Sequence, residues 1–340
     1  MTRGKQAAVL VGGLAALSLV AGLAYRLRPP GLPSTPSPQP GLAWLPAEAE
    51  VVGGVELVEL RRQNWLLEIL AASTAHVREE PDYRNFVAGT GFDYARDLDR
   101  VWFALWGANE HALVAGVAEG RFARQKILDY ARQQGAGVEP HQGIDIYEWR
   151  ALPAAPGQPA RSFALAFLDD THLAFGSDRP RAASAVDCWL GRAASVGSDA
   201  KRSEEVTRWS AGRQAWLVAN TERWSPSLPA TAGGPSSLAK VVTQFALGLS
   251  AGAEGLNVAA TARCRDAAQA QRLRDNLQVM ALAGQLALAR DKNPTGRALA
   301  QDLKHLTFSL QGDRVEARIQ LAPETVGGLL GGVRDSLGQR

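Results

Sequence analysis

The string Gly248-Leu249-Ser250-Ala251-Gly252 is the part of this sequence that most resembles a catalytic motif. In hydrolases G-x-S-x-G sets a nucleophilic serine on a sharp turn between a strand and a helix. Here Phe245 to Leu247 suits the incoming strand, but Gly252 and Gly255 follow and the chain enters another β-like run at Leu256. A glycine-rich turn between two strands explains the string better than a nucleophile elbow. Asp93, Asp97 and Asp99 crowd carboxylates together, as a calcium loop does. Counted from Asp93, the places that an EF-hand gives to its glycine and its last acid hold Leu98 and Ala104. Helix capping and a solvated turn are expected instead. Asp169-Asp170 beside His172 suggests acid-base chemistry. Alternate residues share a strand face, which would pair His172 with Asp170, and a polar hairpin turn accounts for all three.

His76, His111, His141 and His305 show no metal-ligand spacing. Cys188 and Cys264 form no C-x-x-C pair and sit in apolar contexts, which favours free, packed thiols over a bridge. No phosphate-binding glycine loop is present. The expected protein is not an enzyme, and no catalytic, cofactor-binding or metal-binding residue is assigned.

The elements that would carry these residues begin after an unusual N-terminus. Residues 1–6 form a short tail, followed by an uncharged Ala/Leu/Val/Gly run from Ala7 to Ala24. At about 1.5 Å per residue that run just spans a hydrocarbon core about 30 Å thick. Residues 7–25 are read as an uncleaved signal anchor, with cleavage after Ala24 as the alternative. Residues 26–41, rich in proline, read as an extended stalk. The expected location is a bacterial inner membrane, crossed once, with the remaining mass on the periplasmic or extracellular side. Residues 1–40 hold four basic residues and no acid, so the other 300 carry 33 basic against 34 acidic side chains. The apparent basicity belongs to the anchor, and a nucleic-acid partner is not expected.

From residue 42 onward, short β-like runs alternate with amphipathic helices. Strand-helix-hairpin-helix over 112–190 matches strand-helix-hairpin-helix over 256–337. The reading is an α+β fold in two tandem, similar modules, 42–196 and 197–340, joined near Ala193 to Ser198. The hairpins imply largely antiparallel sheets with helices covering one face. The longest helix is expected from Asp266 to Arg290, with Asp266 as its cap.

Three segments carry a resemblance: Thr90-Gly91-Phe92-Asp93-Tyr94-Ala95-Arg96-Asp97-Leu98-Asp99-Arg100-Val101, Gly120-Arg121-Phe122 at the start of a helix, and Phe167-Leu168-Asp169-Asp170 before a strand. Together they resemble uncharacterised exported bacterial proteins that have an N-terminal signal or anchor and repeated α+β modules. The resemblance implies location and architecture, and it transfers no site residue.

All nine tryptophans lie between Trp44 and Trp224. Trp102 and Trp106, four apart on one strand, share a face that either packs into the core or lines an apolar groove. The leading functional expectation is a membrane-tethered binding or scaffolding protein with an envelope protein as partner. The alternative is a carrier of an apolar ligand such as a lipid, held between a sheet and its covering helices.

Overall fold

A computed structural model describes residues 40–69, 81–107, 112–151, 161–221 and 241–337. The anchor at 7–25, most of the stalk, His76, His111 and Trp224 lie outside these residues. The chain is α+β and divides into two compact units. Residues 40–58 and 81–207 of the described chain belong to the first; residues 59–69 and 208–337 belong to the second. The division therefore falls inside the helix Ala200–Ser210, beyond the expected junction, and the second unit also takes in a segment from early in the chain.

The first unit is built on seven strands: β1 (Val51–Glu56), β2 (Leu98–Trp106), β3 (Leu113–Gly120), β4 (Gly137–His141), β5 (Ile144–Ala151), β6 (Arg161–Phe167) and β7 (His172–Gly176). They pair in the order β1-β2-β3-β7-β6-β5-β4. Every neighbouring pair is antiparallel. The short hairpin between β4 and β5 turns at Gln142 and Gly143, both with positive φ. Two residues in that conformation match the twist of the flanking strands.

Both faces of this sheet are covered, not the single face expected. Helices α1 (Pro81–Thr90) and α2 (Arg124–Gln133) lie over one face, and α3 (Arg179–Trp189) packs on the other. Helix α3 starts cleanly because the Asp178 carboxylate caps the Arg181 amide at 2.8 Å and Pro180 occupies the first turn. Its inner residues Ala182, Ala185 and Val186 are fully buried against Val117, Ile146, Ala164, Ala166 and Ala174. Alanines on both partners permit close approach. At Gly176 a Cβ would strike the backbone of Arg181 and Ala182, so this strand end has no room for a side chain.

The second unit has five antiparallel strands: β8 (Ala215–Asn220), β9 (Val242–Gly252), β10 (Gly255–Cys264), β11 (Thr307–Gln311) and β12 (Arg314–Leu321). Their order is β8-β9-β10-β12-β11. Helix α4 is Ala200–Ser210; α5 (Ala267–Ala289), α6 (Pro294–Asp302) and α7 (Pro323–Leu337) complete the set. Asp266 caps α5 as expected, accepting from the Gln269 amide at 2.7 Å. Only the first part of α5 reaches the sheet: Ala270 and Leu273 are buried with Val242, Ala262, Cys264 and Val315.

Among the described residues no helix is long and apolar enough to cross a membrane.

Candidate functional site

The first unit contains a cavity of about 150 Å³ that opens to solvent. Its floor comes from strand parity. Val101, Ala118 and Leu173 stand in one row across β2, β3 and β7, because Val101 pairs with Ala118 and Ala118 with Leu173. Phe175 pairs with Leu165 in the next row, and Trp149 pairs with Phe163 toward the sheet edge. All of these line the cavity. Gly116 lies beneath Phe175, where a Cβ would collide with the ring.

The roof is aromatic. Phe86 comes from α1, Tyr130 and Ile127 from α2, Phe92 from the turn after α1, Tyr94 from the short helix Tyr94–Asp97, and Phe122 from the segment just before α2. Phe86 meets Tyr130 edge-on at 5.5 Å between ring centroids, and Phe92 stacks on Phe122 at 5.4 Å. Offset and edge-on pairs of this kind fix ring orientation while leaving faces free. The two helices approach closely at Gly89, where a Cβ would press on the Tyr130 ring. Trp149 and Phe163 close the edge, 6.1 Å apart.

No carboxylate, imidazole, amine, guanidinium or thiol is among the side chains lining the cavity. The polar atoms on these side chains are the Tyr94 and Tyr130 hydroxyls and the Trp149 indole N–H. A cavity so lined offers an occupant apolar surface and few hydrogen-bond partners.

Trp102 and Trp106 do share a face, as their spacing requires, but it is the α3 face, opposite the cavity. Trp102 is 2% exposed, pressed by Gly41 and met edge-on by Trp44 at 5.0 Å. The Arg181 guanidinium lies 4.4 Å above the Trp106 ring. Trp102 belongs to the core, Trp106 is half-buried, and neither lines the cavity.

The acidic candidates resolve into local structure. Asp93 caps the short helix Tyr94–Asp97, accepting from the Ala95 amide at 2.9 Å, and receives the Tyr83 hydroxyl at 3.0 Å. Asp97 accepts from Arg96 Nε and from the Asp93 amide, each at 2.9 Å. The Arg96 hydrogen bond, with help from the Asp93 amide and Arg121, outweighs burial and holds the Asp97 carboxyl below its usual range. Arg121 also reaches Asp99 at 3.5 Å. At the β6–β7 turn His172 meets Asp169, not Asp170, at 2.9 Å, while Asp169 also caps the Thr171 and His172 amides. The turn curls back on itself, so strand parity does not apply there. The other side of the His172 ring lies against Trp44 and Trp189, at 5.2 and 4.9 Å. Among the described residues no three His, Cys, Asp or Glu side chains gather as metal ligands.

The G-x-S-x-G string has a packing explanation. Arg213 lies across β9 at Gly248, where a Cβ would fall on its Cδ. Its guanidinium stands 4.0 Å over the Trp209 ring and donates to the Trp209 carbonyl. Burial pulls this guanidinium down to about 10. Ser250 donates to the Gly212 carbonyl at 3.1 Å. Both residues thus hold the 209–214 loop on the sheet, and the chain continues from β9 into β10 without a helix. Cys188 and Cys264 are free and buried, as expected; burial pushes their thiols up to about 12 and about 11.

No protein-family model matches the chain, and no curated protein matches it. Among solved structures it is similar to crystal forms III and IV of TP0453. The identities are 10% and 9%, and both TM-scores are 0.49. The matches cover 86% and 87% of this chain and 98% and 97% of those chains. Crystal form I of the same protein matches at 9% identity and a TM-score of 0.43. Likeness at this level transfers no function.

Proposed function

We propose that this protein is a non-enzymatic binder of an apolar ligand, with a lipid hydrocarbon chain as the chemical class, held in the aromatic cavity of the first unit. One observation carries the reading: fourteen apolar or aromatic residues converge on an open cavity and bring no carboxylate, imidazole, amine, guanidinium or thiol with them. The cavity sits between a sheet and covering helices, as the carrier reading of the sequence requires, although α5 and the Trp102–Trp106 face do not form it. The apolar run at 7–25 adds the second half of the proposal, a tether that keeps the units outside the cytoplasm. We read the two units as related modules, because β3-α2-β6-β7-α3 and β10-α5-β11-β12-α7 follow one order once the β4–β5 hairpin and α6 are set aside.

The experiment is extraction of the full chain, purified gently from its own membrane, followed by mass spectrometry of the organic phase. It is paired with titration of an uncharged apolar dye read by energy transfer from tryptophan. The proposal requires a stoichiometric lipid, or saturable dye binding with Trp149 as a donor. An empty protein with only linear, unsaturable dye uptake would overturn it.

A further inference from the structure

The second unit exposes an apolar helical surface that the cavity reading does not use. From Asn276 to Ala289, α5 carries no charged residue, and none of these positions is buried. Val279, Met280, Leu282 and Leu286 are 68%, 57%, 59% and 56% exposed. At 100° per residue, Val279, Leu282, Ala283 and Leu286 fall on one stripe, with Met280 at its flank. Arg272 and Arg290, both exposed, lie on that same stripe at its two ends. Of the two acids beside the stripe, Asp275 is occupied by Arg274 at 2.8 Å and by Gln271 at 3.0 Å, and Asp291, next to Arg290, accepts from the Asn293 amide at 2.9 Å.

Two observations choose the occupant. The first is charge. Between Arg263 and Lys304 the chain carries eight basic and four acidic side chains, while the rest of residues 41–340 carry 25 basic and 30 acidic. The apolar stripe therefore lies in a stretch with an excess of four basic side chains, in a chain otherwise slightly acidic, and Lys292, Arg297 and Lys304, which follow the stripe in sequence, are exposed. The second is area. The exposed parts of the four large side chains sum to on the order of 400 Å², about half of what one partner contributes to a standard protein interface. An apolar stripe bracketed by long basic side chains suits a helix lying in a lipid headgroup region, where the arginine stems lie along hydrocarbon and their heads reach phosphate.

We infer that the C-terminal part of α5 is an interfacial membrane-docking helix, seating Val279, Met280, Leu282 and Leu286 in a bilayer surface that carries anionic lipid. This does not depend on the cavity: loss of vesicle docking would leave ligand binding untouched, and an empty cavity would leave docking untouched.

The test uses the full chain reconstituted with vesicles, flotation recording how much of each variant is on the membrane while the readout itself is local. An environment-sensitive dye is attached at Ala283→Cys; the native thiols are buried and resist labelling. Phosphatidylcholine vesicles are compared with vesicles that also contain phosphatidylglycerol. A blue shift and a several-fold rise in emission are expected with phosphatidylglycerol and little change without it. Leu282→Glu with Leu286→Glu should remove the response. Arg272→Gln with Arg290→Gln, which leaves the apolar stripe intact, should weaken the phosphatidylglycerol preference about ten-fold or more. Helicity by circular dichroism shows that each variant is folded. No dye response on anionic vesicles, an equal response on neutral ones, or a response that rises with protein concentration in the absence of lipid, as a second copy would give, overturns the inference.

Discussion

Replacing Ala118 by leucine separates an open cavity from a packed core by the sign of a stability change. Ala118 lines the cavity floor, between Val101 and Leu173, and is itself buried. Leucine adds three carbons, each contributing about 0.8 kcal/mol when it leaves water for an apolar space. The gross gain is about 2.4 kcal/mol, and ordering the longer side chain costs up to about 1 kcal/mol. Filling empty space should therefore stabilise the first unit by about 1.5 kcal/mol. Forcing the same carbons into a solid core would cost about 1–3 kcal/mol. Urea unfolding followed by tryptophan fluorescence reads the difference as a shift of midpoint at constant slope. Apolar dye affinity provides the second reading, because the leucine occupies space the ligand needs. Stabilisation with weakened dye binding is the expected pair. Destabilisation with unchanged dye binding would refute the reasoning that the cavity is open and is the binding site.

Gly248→Ala should destabilise the second unit by about 2–3 kcal/mol, since the new Cβ drives a buried guanidinium off Trp209 and away from its carbonyl acceptor. Ser250→Ala removes one hydrogen bond and should cost only about 1 kcal/mol; thermal melts of the two variants compare them. Asp97→Asn should lose about 1–3 kcal/mol and flatten the acid side of the stability–pH profile. Because the folded carboxyl of Asp97 titrates below its unfolded value, its contribution is full above about pH 4 and disappears as pH falls through the folded value. Urea midpoints of wild type and variant should therefore converge in acid. Cys188 and Cys264, buried and with raised thiols, should react with a water-soluble disulfide reagent at pH 8 only after unfolding, as absorbance after denaturant addition would report.

Much of the second unit was legible because its signals are local. The run of apolar residues from Leu256, the cap at Asp266 and the hairpin over Gly312 each declare an element without help from elsewhere. Helix α1 was not, because its sequence is polar overall and includes Gly89; tertiary contact with Tyr130 outweighs weak helix propensity there. The β4 strand was missed because all but its last residue are exposed and it contains Pro140, which edge strands tolerate. The cavity was illegible for a different reason. Its lining comes from ten separate places between Phe86 and Phe175, and nothing in spacing reveals that Leu165 and Phe175 meet across two strands. Parity did reveal that Trp102 and Trp106 share a face, but parity alone does not say which covering element that face receives. The one available signal for the cavity was the density of Phe and Tyr around Thr90, in Tyr83, Phe86, Phe92 and Tyr94.

The way the chain enters the first unit has a mechanical consequence. The 3-10 helix Pro40–Trp44 buries Leu42, and Leu45 follows it into the core. Gly41 lies flat on the Trp102 ring, while the Trp44 ring is held among Trp102, His172 and Trp189. Just beyond, the Leu45 carbonyl accepts from the Val196 amide at 2.8 Å, the Ala47 amide donates to the Ala194 carbonyl at 3.0 Å, and Arg202 Nη2 donates to the Ala49 carbonyl at 2.6 Å. Any pull applied along the preceding proline-rich segment reaches this clasp before it reaches a strand. The load is then shared among several bonds and a wedged indole, not taken one hydrogen bond at a time, so the entry point resists being peeled open and the sheet behind it stays unstrained.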